Sequence, residues 1–127
     1  MAETNSQSTC CNAAPKLIFA CSGAADVGKI SDLAARQLTT EGAGKMFCLA
    51  GVGGRVSGIM ASTQSAQKIL AIDGCPLDCA KKTLENAGFT EFEYIRLSDL
   101  GMDKGKTPAT DEAVAKVVST GKTRLAS

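Results

Sequence analysis

The chain contains no histidine and no tryptophan, and it has a single tyrosine among its 127 residues. Without an imidazole there is no Ser-His or Cys-His catalytic pair, no imidazole proton shuttle and no mixed Cys/His metal site. Any metal would be held by sulfur, by carboxylate or by both. One Tyr and four Phe give no stacking platform for nucleic-acid bases. A net charge of +1 with dispersed lysines gives no basic footprint for a phosphate backbone or an anionic membrane. No apolar run approaches the ~18 residues that a membrane span needs, and residues 1–12 carry no apolar stretch of the kind found in signal peptides. The expectation is a cytoplasmic protein whose partner is a metal ion, with no nucleic acid and no membrane involved.

Apolar residues make up 44% of the chain and charged ones 21%, the proportions of a soluble globular protein. The length supports one core without staples. Residues 1–14, rich in Ser, Thr, Asn and Gln, read as a flexible tail, and 15–127 as a single α/β domain. Lys16 to Cys21 is an apolar run of strand length without alternation, the pattern of a strand buried on both faces. A small-residue loop from Ser22 follows, then a helix with Val27, Ile30, Leu33, Ala34 and Leu38 at helical spacing. Lys45 to Ala50 reads as a second strand that ends in a flexible Gly51–Gly54 turn. Val56, Ile59, Met60 and Ala66 then mark a modest helix, with Met60 as core filling. Ile69–Ile72 is a third strand, and a helix is expected to start at Pro76 and close at Gly88. A fourth strand covers Phe92 to Leu97. A last helix opens at Asp111 and Glu112, stops at Gly121, and leaves Lys122 to Ser127 frayed. Strands alternating with helices predict a mostly parallel four-stranded sheet in a small three-layer Rossmann-like or flavodoxin-like sandwich. Such sheets bind ligands beyond the carboxyl ends of their strands.

Six cysteines in a reducing compartment are thiols or ligands rather than a disulfide framework. Cys21 and Cys75 sit at strand ends, and Cys79 lies four positions after Cys75. If the helix starts at Pro76, those two cysteines bracket its beginning on one face, at the positive end of its dipole. Cys48 falls inside the second strand near the same edge. As a small hydrophobe between Phe47 and Leu49, it also fits a packing role. Four thiolates suit Zn²⁺ in a closed tetrahedral site, leaving a charge of −2 that loop N–H groups could offset. An iron–sulfur cluster uses the same ligands, and three cysteines with an open position would make a labile or catalytic site. The vicinal pair Cys10-Cys11 could supply extra ligands. Asp73 is read as turning the strand end, accepting loop amides or orienting the thiolates from behind. Asp78 is read as a first-turn helix acid and Asp26 as a loop or cap residue.

Three stretches carry a family resemblance: Cys21 to Gly28, Lys45 to Gly54, and Ile72 to Lys82 with its Asp73-Gly74-Cys75 core. Together they resemble the DGC family, small proteins named for their Asp-Gly-Cys motif and assigned zinc binding from their cysteines. The resemblance spans about Lys16 to Leu100. It implies a metal site built from Cys21, Cys48, Cys75 and Cys79, and it implies no particular reaction. A role in metal sensing or trafficking is one expectation. A thiol-based redox or sulfur-transfer role with Cys75 as nucleophile is its rival. The Gly51–Gly54 stretch lacks a complete phosphate-loop pattern, and no C-x5-R phosphatase loop is present. No catalytic constellation is recognisable.

Overall fold

The computed structural model describes residues 14–126. Of the expected tail, only Ala14 is described, so Cys10 and Cys11 lie outside the described residues. The elements run β1 (Lys16–Ala20), α1 (Asp26–Thr40), β2 (Lys45–Met46), α2 (Leu49–Gly53), α3 (Ser57–Gln64), β3 (Lys68–Asp73), α4 (Cys79–Asn86), β4 (Glu93–Arg96), a 3-10 turn (Leu97–Leu100) and α5 (Asp111–Ala126).

All strand pairs are parallel, in the order β2-β1-β3-β4. Successive residues of a strand face opposite sides, so unbroken apolar runs serve two cores at once. On one side Ile18, Ala20, Leu70 and Ile72 pack with Val27, Ile30 and Leu38 of α1 and Val117 of α5. On the other, Leu17, Phe19, Ile69 and Ala71 meet Val52 of α2 and Ala80 and Leu84 of α4. These two cores are the physical content of the expected three-layer sandwich. Phe19, fully buried, meets Phe47 edge to face at 6.1 Å, a geometry that ring quadrupoles favour.

The chain leaves β1 toward β2 on one side, then crosses back over β1 to form β3 on the other. That reversal puts the switch point between the carboxyl ends of β1 and β3, where open parallel sheets leave a crevice.

Three local expectations are corrected. The second strand stops at Met46, and Cys48 instead starts α2, with Gly51 and Gly53 inside the helix rather than in a turn. The cause is packing: a Cβ on Gly51 would lie 2.7 Å from Ile59, so the missing side chain lets α2 and α3 close together. Val56, expected inside, is 52% exposed and precedes α3. Gly121 does not stop α5, which continues to Ala126. It is the point where α5 crosses α1, with Leu38 filling the space a Cβ would take, at 2.8 Å. Beyond it Leu125 is buried and Lys122 pairs with Glu41, so the end expected to fray is anchored.

Candidate functional site

Cys21 follows β1 directly, and its N–H still donates to the Ile72 carbonyl, at 3.0 Å. Main-chain pairing therefore fixes this residue at the switch point. Its sulfur lies 3.2 Å from the hydroxyl of Ser31, a fully buried residue on the inner face of α1. Ser31 donates its single proton to the Gly28 carbonyl at 2.8 Å, so its lone pairs are left to accept from the Cys21 thiol. Gly28 is required because a Cβ there would sit 2.4 Å from the Gly23 carbonyl oxygen.

Cys48 is exposed at the start of α2, where its sulfur accepts the Gly51 N–H at 3.3 Å. This is the cap of a short helix and not a position inside a strand, which corrects the expectation. Sulfur is a weak acceptor, so the contact leaves the thiol available.

After β3 the chain does not enter a helix at Pro76. Residues 75–78 form a turn closed by the Asp78 N–H to the Cys75 carbonyl at 3.2 Å, and α4 begins at Cys79. Cys75 and Cys79 are therefore not stacked on one helix face. Cys75 is half-buried against the α1 side of the core, and Cys79 is exposed at the first helical position. Asp73 explains where the helix begins. Its buried carboxylate accepts the N–H groups of Ala80 and Lys81 at 2.8 and 3.0 Å, two donors that α4 could not satisfy internally. The roles read for Asp73 were turning the strand end, accepting loop amides or orienting the thiolates; the amides it accepts are those of α4 and not of the loop. The Asp-Gly-Cys motif thus acquires a division of labour. Asp73 caps the helix that follows, and Gly74 lets the turn press on α1, where a Cβ would come within 2.8 Å of Val27. Cys75 supplies the thiol.

Asp78 adopts a left-handed conformation (φ 57°, ψ 44°) and makes no capping bond, so it is not the helix acid expected. Its carboxylate takes both prongs of the Arg96 guanidinium, at 2.8 and 2.6 Å, and lies 2.7 Å from the Tyr94 hydroxyl. That hydroxyl is also 2.8 Å from Asp73. Its one proton bridges the two carboxylates, donated to one at a time. The Arg96 guanidinium, aided by Tyr94, lowers the Asp78 carboxyl to about 2. Burial and the two carboxylates push the Tyr94 phenol above its usual range. Asp26 is the first residue of α1 and accepts the N–H groups of Gly105 and Thr107 at 2.9 and 3.0 Å, which lowers its carboxyl.

Two adjoining cavities lie at this edge. One, of about 470 Å³, is lined by Cys21, Cys75, Cys79, Val27, Leu77 and Lys104. The other, of about 500 Å³, is lined by Cys21, Cys48, Ser22, Asp32, Arg36 and Thr83. Cys21 forms part of both walls. The four thiols that sequence reasoning singled out thus line two cavities, Cys75 and Cys79 the first, Cys48 the second and Cys21 both. Yet among the described residues no three Cys, Asp or Glu side chains come close enough to hold one metal ion. The donor chemistry suits a thiophilic ion, whereas the side chains as they stand are spread around the crevice and not converged on a centre. Asp73 and Asp78, being fully engaged with N–H, guanidinium and phenol donors, are not spare ligands.

Sequence reasoning missed three supporting residues. Ser31 had a signal, a polar residue four positions after Val27 on the apolar face of α1. Tyr94 was read only as a strand residue, and Arg96 not at all, although both lie on β4 at the carboxyl edge.

The fold is a small parallel α/β sandwich with free thiols where its strands lead into helices. The chain belongs to the DGC family, whose DGC domain matches residues 17–120. The Anaerobic and virulence modulator AnvM of Pseudomonas aeruginosa is 36% identical over 88 residues, 69% of this chain and 67% of that protein. No solved structure matches the chain significantly. No helix among the described residues is long and apolar enough to cross a membrane.

Proposed function

We propose that the chain is a cytoplasmic zinc-binding protein that takes up its ion through Cys21, Cys75 and Cys79, with Cys48 as fourth ligand. The observation that carries this reading is that four thiols, from three separate strand-to-helix junctions, line two cavities that share Cys21. No imidazole competes, and the neighbouring carboxylates are engaged elsewhere. Membership of the DGC family supports a metal-binding role. Binding would draw the thiols inward, and Cys48 and Cys79 are exposed enough to move. Bound zinc would supply folding free energy and hold the three junctions together. A modulating rather than catalytic role, in metal sensing or trafficking, is in keeping with the name of the Pseudomonas relative. Protein purified reduced and without an affinity tag should carry about one zinc per chain. Less than a tenth of that would overturn the reading, and iron with sulfide in its place would favour a cluster.

A second reading draws on the spread of the thiols, since no three among the described residues share a centre. In it Cys75, half-buried in a cavity, is the nucleophile of a redox or sulfur-transfer protein. One thiol alkylating far faster than the rest in metal-free protein would favour this reading; uniformly slow alkylation would exclude it.

A further inference from the structure

Three non-glycine residues among those described have a positive φ: Ser22 at 51°, Arg55 at 58° and Asp78 at 57°. Side chains with a Cβ adopt this conformation uncommonly, Asp more readily than most, and such residues concentrate at functional sites. Here two of the three are direct neighbours of crevice cysteines. Ser22 follows Cys21, and Asp78 precedes Cys79. Each is tied to an arginine. The Ser22 hydroxyl donates to Asp32 at 2.8 Å, and Asp32 is paired with Arg36 at 2.7 Å. Asp78 is gripped directly by Arg96.

The Asp78 arrangement is the more constrained. Arg96 comes from β4, eighteen positions further along the chain, and so ties the turn to the rigid sheet. Its guanidinium lies over the Tyr94 ring at 5.6 Å, which fixes the fork in orientation. Because Asp78 is the residue at which the turn passes into α4, its left-handed backbone sets how Cys75 and Cys79 are disposed about the cavity they both line. In the right-handed region Asp78 would instead extend the helix toward Cys75 and turn the pair differently.

We propose that Arg96, acting through Asp78, is the positioning residue of the Cys75–Cys79 thiol pair. It holds the intervening backbone in its left-handed conformation and thereby sets the separation and facing of the two thiols. This rests on the reading of the crevice as a thiol site, without depending on which metal, if any, the site takes. Lysine replaces it only in part, because a single ammonium lacks the planar fork that fixes a carboxylate at two points.

The test is alkylation of reduced, metal-free protein by iodoacetamide, followed cysteine by cysteine by peptide mass spectrometry. Arg96→Ala should raise the Cys75 rate roughly tenfold as the turn is freed, raise Cys79 less, and leave Cys21 and Cys48 unchanged. Arg96→Lys should recover only part of the effect. Adding Asp78→Gly to Arg96→Ala should bring the rates back toward the unsubstituted protein, since glycine holds a positive φ without help. Adding Asp78→Ala should not. The proposal is overturned if Arg96→Ala leaves Cys75 unmoved, if all four cysteines accelerate alike, or if the glycine and alanine double variants behave the same. Arg96 is 26% exposed at its side chain, and the lysine variant keeps its charge, so the comparison survives poor folding of the alanine form. Zinc content measured beside these rates separates the two readings. A protein that takes no zinc yet shows this pattern loses the metal assignment and keeps the positioning role.

Discussion

The two thiol-bearing junctions on either side of the switch point are built by different means. After β1, Cys21 is held by main-chain pairing to β3, by a buried hydroxyl and by close glycine packing. After β3, Cys75 and Cys79 are held by carboxylates: Asp73 on the helix amides and Asp78 on Arg96, with Tyr94 between them. The first arrangement holds the thiol itself by uncharged contacts, the Asp32–Arg36 pair reaching only its neighbour Ser22. The second depends on ionised groups and so responds to pH and to the loss of a single partner. The strand ends thus join one thiol fixed mainly by packing to a pair fixed by ionised groups.

The contrast can be broken most severely at Asp73. Asp73→Ala leaves the buried Ala80 N–H and the part-buried Lys81 N–H without acceptors and should cost about 3 kcal/mol in chemical denaturation. A loss under 1 kcal/mol would show that water or another residue caps α4. On the other side of the crevice, Gly28→Ala forces a Cβ against backbone and should cost about 2 kcal/mol. Ser31→Ala is smaller, about 1 kcal/mol, and should alter Cys21 reactivity while leaving Cys75 and Cys79 as they were. Movement of all three thiols would show that the junctions are not separable.

The smallest effect is the pH response. The Asp78 carboxyl is lowered from 3.8 to about 2 in the folded state, so its contribution is complete above about pH 4 and fades as pH falls toward 2. Asp26, lowered by the Gly105 and Thr107 amides, works in the same direction. Metal-free protein should therefore lose stability across that window, with a shallower loss in Arg96→Ala. An unchanged slope in that variant would remove the ion pair from the comparison.

How much of this was legible in the sequence follows the same division. β1 and β3 could be read because unbroken apolar runs such as Leu17 to Ala20 have few alternatives to a doubly covered strand. Cys21, Cys75 and Cys79 could be placed near one edge because they were read at strand ends or a helix start, with Cys48 near the same edge but inside its strand. Cys48 was misplaced because Gly51 and Gly53, ordinarily turn formers, are helical here, Gly51 packing on Ile59, a contact invisible to local pattern. The start of α4 was misread for a related reason. Pro76 suits a first helical position, yet Asp73 receives the amides of Ala80 and Lys81, seven and eight residues on, and so moves the start to Cys79. The grip of Arg96 on Asp78 spans eighteen residues and two elements, and no spacing rule announces it.

X-ray absorption at the zinc edge of reduced, tag-free protein tests the central claim most directly, because it reports the number and kind of donor atoms in one spectrum. Zinc bound in an all-sulfur shell at about 2.3 Å, lost stepwise in the Cys21, Cys75 and Cys79 serine variants, is the predicted result. A shell of oxygen or nitrogen at about 2.0 Å, or zinc that is indifferent to those substitutions, would contradict it.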